Sequence, residues 1–136
     1  MKRLTKVACC LIAVTTLSFG HGDVTPQPMD TEGLPKIADD VIVNPFRGNE
    51  TAIEIGKSGY NANCARCHGL GAISGGVAPD LRYLEAGDDD TDEYMINKVR
   101  TGAVRNGNVY MPPFKGILSN EAIWAIRSWI ETVPAD

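Results

Sequence analysis

The chain has 136 residues, of which 43% are hydrophobic, with thirteen lysines and arginines against seventeen acids. That length holds one domain, and the negative charge speaks against nucleic acid or anionic lipid as partner.

The first residues read as an export signal. MKRLTK supplies a basic n-region, VACCLIAVTTLSF is a short apolar run, and Ser18 and Gly20 are the small residues a signal peptidase requires. The apolar run is too short to span a bilayer comfortably, so stable membrane insertion is not expected. Residues 1–20 are therefore taken as a signal cleaved near Gly20, which makes the protein periplasmic. Cleavage removes Cys9 and Cys10 together with Lys2, Arg3 and Lys6, leaving ten bases against seventeen acids, a net charge of −7. A neutral or basic protein partner suits such a surface.

Residues 21–48 contain Pro26, Pro28, Pro35 and Pro45 and few apolar side chains, which predicts an extension lying over the domain or hanging free. The folded unit is expected over 49–136. Its first helix spans about 49–62, with Asn49 as N-cap and Ala52, Ile53, Gly56 and Tyr60 along one face. A second, about 92–101, takes Thr91 as cap, acids in its first turn, bases in its last and Gly102 as its stop. The acidic run GDDDTDE before and within it reads as a solvated loop capping that helix. A third, about 120–133, follows Ser119 and lines up Ala122, Ile123, Ile126, Trp129, Ile130 and Val133 at helical spacing, with Trp124 on the opposite side, packed by the extension or a loop. No segment alternates as a strand. The expectation is an all-α fold of about three main helices joined by long glycine- and proline-rich loops. Its apolar core is marginal for its size, so something must supplement it.

Residues 63–69, NCARCHG, identify the supplement. C-x-x-C-H is the attachment signal for c-type haem. Two thiols on one turn each add to a porphyrin vinyl group, and the next residue presents its imidazole to the iron. Cys64 and Cys67 are thus the covalent sites and His68 an axial ligand, with one haem c per chain. Two other uses of the motif are weaker. A structural zinc needs four ligands, and the mature chain adds only the terminal His21 to these three. A thioredoxin-like pair belongs after a strand. For the sixth ligand, Met111 in NVYMPPF is favoured because Pro112 and Pro113 stiffen its loop, while Met29, Met95 and an open site are the alternatives. Arg82, Arg100 and Arg105 are candidate partners for the haem propionates, and the sequence does not choose among them.

With these motifs in place the chain resembles the class I, mitochondrial-type cytochromes c. Gly56 and Tyr60 precede the first haem cysteine by eight and four residues as in that family, and APDL and MPPF match its Pro-x-Leu and methionine loop. The resemblance implies close packing of the first helix on the last, with Ile126 and Trp129 facing it. It also implies a haem pocket containing Pro79, Leu81 and Tyr110, with the Pro79 carbonyl accepting a hydrogen bond from His68 Nδ1. The function implied is one-electron transfer, not catalysis. A narrower resemblance runs from NPFRGNETAIEIGKSGY through VRTGAVRNGNVYMPPF, to the small periplasmic cytochromes c that serve PQQ-dependent alcohol dehydrogenases. It implies a monomer that accepts electrons from the quinoprotein and passes them to an oxidase or another cytochrome. A tightly bound haem subunit of another periplasmic oxidoreductase is the alternative.

Overall fold

The computed structural model describes residues 25–135. The expected signal over 1–20, with Cys9 and Cys10, and the terminal His21 lie outside the described residues.

Helix α1, Glu50–Asn63, begins where Asn49 accepts a hydrogen bond from the Ala52 amide, with Glu50 complementing the helix dipole. Helix α4, Asn120–Ile130, begins at Ser119, whose hydroxyl accepts from Ala122 at 3.2 Å. The two cross in direct contact, as the resemblance implies, and the Tyr60 and Trp129 rings pack at a tilt of 42° with 4.5 Å between centroids. Helix α4 stops at Ile130, short of the expected 133. There the backbone tightens into three-residue turns, with the Thr132 and Val133 amides bonding Trp129 and Ile130, and the Thr132 hydroxyl also takes the Trp129 carbonyl. Pro134 then forbids continuation.

Helix α3, Asp89–Thr101, starts earlier than expected. Asp88, not Thr91, is the N-cap; its carboxylate accepts from both the amide and the hydroxyl of Thr91. Gly102 ends the helix at φ +72°, as its sequence position indicates.

The fold is mainly helical but not all-α. Strands β1, Ala103–Arg105, and β2, Asn108–Met111, form an antiparallel hairpin with a bulge next to Ala103. Asn106 and Gly107 turn it with φ of +50° and +77°, the pattern of a type I′ turn. Val104, Arg105, Val109 and Tyr110 are all exposed, so the strands show no alternation of polarity that would reveal them.

Helix α4 is buried all round because the N-terminal segment covers the face opposite α1. The Ile37 amide donates to Glu121 at 2.7 Å, Asn120 donates to the Ile37 carbonyl, and Asn44 bonds Ser128. Trp124, one helical turn from both Asn120 and Ser128, is sealed beneath. The core thus begins before Asn49, at Phe46, which is 3% exposed. Beneath this segment lies a buried charge network. Arg127 donates to Asp92 at 2.7 Å and to the Glu85 carbonyl at 2.6 Å; Arg47 donates to Asp92 at 2.7 Å and to Glu131 at 3.2 Å. Four segments meet there: residues 44–47, the turn at 85, α3 and α4.

Candidate haem site

The site grows from the end of α1. Cys64 leaves that helix with a φ of −114° and starts the single turn α2, Ala65–His68. Its carbonyl accepts from the amides of Cys67 at 3.1 Å and His68 at 2.9 Å, so positions i, i+3 and i+4 share one face. Two thiols and one imidazole are presented together. Both cysteines are free and partly buried. Burial, with Cys67 adding a smaller effect, pushes the Cys64 thiol pKa up to about 12.

The His68 ring is held by its far nitrogen. Nδ1 lies 2.8 Å from the Pro79 carbonyl oxygen, the bond that the resemblance implies. A carbonyl only accepts, so Nδ1 is the donor in this bond and Nε2 is the ring nitrogen turned away from it. The loop bearing Pro79 is itself braced. Asp80 accepts from the Ser74 amide at 3.1 Å and from Arg82 Nε and Nη2, and the Ser74 hydroxyl bonds the Ala78 carbonyl. The hydrogen bond from Arg82 is the main reason the Asp80 pKa falls to about 2. Leu81 follows, packed against the core. Gly69 closes α2 at φ +83°; a Cβ there would fall 1.8 Å from the Ile73 carbonyl oxygen, so only glycine fits.

Met111 closes β2 and is partly buried against the core. Its strap lies across the end of α3, where a Cβ on Gly102 would meet the Met111 carbonyl oxygen at 2.4 Å. The buried Phe114 anchors the far end through its amide to the Val99 carbonyl at 3.0 Å. The other two methionines among the described residues are used in packing. Met95 is 6% exposed inside the core, and the Met29 thioether fills the space over Gly59. Tyr110 is 63% exposed, with the Arg105 guanidinium 5.7 Å from its ring. Of the arginines considered for the propionates, Arg82 braces Asp80 and Arg100 bonds Asn120 at 2.8 Å.

The donor set fits haem c. Paired thiols on one turn beside a histidine whose ring is held through Nδ1 are what thioether attachment and iron ligation through Nε2 require. Among the described residues no group of three or more His, Cys, Asp or Glu side chains is arranged to hold a metal ion on its own.

Comparison with known proteins agrees. The family described as "Cytochrome C oxidase, cbb3-type, subunit III" matches residues 51–130. Cytochrome c550 of Pseudomonas aeruginosa is 49% identical over 130 residues, covering 92% of this chain and 89% of that protein. Quinohemoprotein alcohol dehydrogenase ADH IIB of Pseudomonas putida is 31% identical over 105 residues, 77% of this chain but only 13% of its own length. The solved structure of ADHIIG from Pseudomonas putida HK5 matches at a TM-score of 0.51 and 32% identity, over 71% of this chain and 14% of that one. Fold and site define a c-type cytochrome, and the chain belongs to the cytochrome c family with the class I pattern. It is a monohaem electron carrier, not an enzyme, with haem c attached covalently through the C-x-x-C-H motif of Cys64 and Cys67.

Proposed function

We propose that the chain is a periplasmic, monomeric carrier in which His68 and Met111 are the axial ligands of the haem iron. It would receive single electrons from a PQQ-dependent alcohol dehydrogenase and pass them to an oxidase or another cytochrome. In this reading residues 1–20 are an export signal and 21–48 an extension ahead of the haem domain at 49–136.

The observation that carries the reading is the His68 Nδ1 to Pro79 bond of 2.8 Å, which fixes the ring through one nitrogen and makes Nε2 the one that would meet the iron. When bound, haem supplies a one-electron ferric/ferrous couple. The chain's residues set its terms. Cys64 and Cys67 anchor it, Pro79 orients the histidine, and Leu81 and Tyr110 contribute to the pocket. A Met111 thioether favours the ferrous state relative to a second imidazole and raises the potential. With His68 and Met111 both holding the iron, oxygen and peroxide would find no open position, which suits transfer rather than catalysis.

The donor assignment is supported by the similarity to quinohemoprotein alcohol dehydrogenases, whose names join a haem to that activity. Stopped-flow mixing with a reduced quinoprotein alcohol dehydrogenase tests it. Reduction much faster than that of an unrelated cytochrome is expected; equal rates would remove this donor.

A second reading follows from the same relatives. Because the chain matches a small share of those dehydrogenases, it is also compatible with a haem subunit bound permanently to an oxidoreductase. The near full-length match to cytochrome c550 favours an independent carrier. Size exclusion of the native protein with its donor separates the two: co-elution that survives high salt would select the subunit.

A further inference from the structure

Tyr60 grips the haem-attachment turn at both ends. Its backbone carbonyl accepts from the Cys64 amide at 2.8 Å, where α1 hands over to α2. Its hydroxyl donates to the carbonyl of Gly69 at 2.8 Å, directly after His68. The side chain is fully buried, and burial pushes its pKa above the ordinary phenol range, so the hydroxyl stays a donor. Gly69 has little room to move. Its amide bonds the Ala65 carbonyl at 2.8 Å, and its Cα face abuts the Ile73 carbonyl.

Packing alone does not demand the hydroxyl. The Tyr60 ring contacts Trp129, and a phenylalanine would preserve that contact. The hydroxyl instead satisfies a part-buried carbonyl beside the histidine, and leaving such an acceptor unpaired costs stability. His68 is therefore held from two directions: its ring by Pro79 and its backbone, through Gly69, by Tyr60.

We propose that the Tyr60 hydroxyl is a positioning residue that fixes the His68 ring plane by holding the Gly69 carbonyl. This rests on the reading of His68 as an iron ligand. The hydroxyl acts as a brace linking the α1–α4 contact to the orientation of the ligand, so that the haem's electronic asymmetry depends on a group that never touches the porphyrin's iron.

The test compares ferric holoprotein carrying Tyr60→Phe with wild type and with Trp129→Phe, which loosens the helix contact but keeps the hydroxyl. Two readouts are taken: the hyperfine-shifted haem-methyl resonances, which report the histidine plane, and hydrogen exchange of the Gly69 and His68 amides. For Tyr60→Phe, a changed methyl pattern and exchange faster by about tenfold are expected. Trp129→Phe should lower the melting temperature and leave the methyl pattern alone. A wild-type pattern and wild-type exchange in Tyr60→Phe would overturn the proposal, even with a lower melting temperature. Should the variant fail to accumulate as holoprotein, the wild type still decides: a Tyr60 hydroxyl proton exchanging as fast as that of a solvent-exposed tyrosine would overturn it, and a slowly exchanging one in contact with Gly69 would support it. If the wild-type spectrum lacks a histidine-bound low-spin iron, the axial assignment falls, whereas the amide exchange still reports the brace.

Discussion

A methyl group on Gly56 would sit 1.9 Å from the carbonyl oxygen of Ala125, so α1 and α4 touch backbone to backbone. Glycine in mid-helix costs about 1 kcal/mol relative to alanine; here it permits the contact that brings Tyr60 over Trp129.

Replacing Gly56 by alanine should therefore destabilise the protein despite alanine's better helix propensity. The obstacle is backbone, which cannot rotate aside, and overpacking of this kind costs about 1–3 kcal/mol. Chemical denaturation of the holoprotein measures it. An unchanged or higher midpoint would mean that the helices can separate at no cost.

The Asp92 carboxylate is shared by Arg127, which is fully buried, and by Arg47. Removing one member of a buried ionic set strands its partner, at a cost of about 3–5 kcal/mol. Asp92→Asn should show a loss near the lower end of that range, because the amide still accepts one hydrogen bond. Asp89→Asn, at an exposed position in the first turn of the same helix, should change stability by less, about 0.5 kcal/mol. Equal effects in the two variants would contradict the network's role.

The Asp80 carboxyl, held at a pKa of about 2 chiefly by Arg82, predicts an acid limit for the loop that carries Pro79. A depressed folded-state pKa stabilises the fold fully above the ordinary carboxylate pKa near 4 and loses that effect as pH falls through the folded value. Loosening of the 74–82 segment should therefore set in between about pH 4 and pH 2, seen as faster hydrogen exchange there. Arg82→Gln should move the onset upward. An unmoved onset would show that the pair does not brace the loop.

Met111→Ala should abolish the weak long-wavelength band of a methionine–iron bond and lower the reduction potential. Met29→Leu, whose side chain packs over Gly59, should leave both unchanged. An intact band in Met111→Ala would exclude that residue as ligand.

What was legible in the chain was local. Asn49 and Ser119 cap the helices as read, Gly102 ends α3, and Cys64, Cys67 and His68 share the turn their spacing requires. Each is a short-range signal within about one helical turn. The hairpin was hidden because its side chains point into solvent without alternation, although Asn106-Gly107 is a strong turn signal and marked the place. Asp88 and Thr91 are both good caps, and only the observed bonds select the aspartate. The Asp92–Arg127 pair and the burial of Phe46 and Trp124 arise from contacts between segments 35 or more residues apart, or from cover provided by the extension, which residue polarity does not encode.

Everything functional depends on the turn at Cys64–His68 carrying a covalent porphyrin. Intact mass spectrometry of the purified native protein, under denaturing conditions and after thiol alkylation, tests this most directly. A chain heavier by one haem and taking up no alkylating reagent at Cys64 or Cys67 is the expected result. A colourless chain with both thiols alkylated would contradict the account.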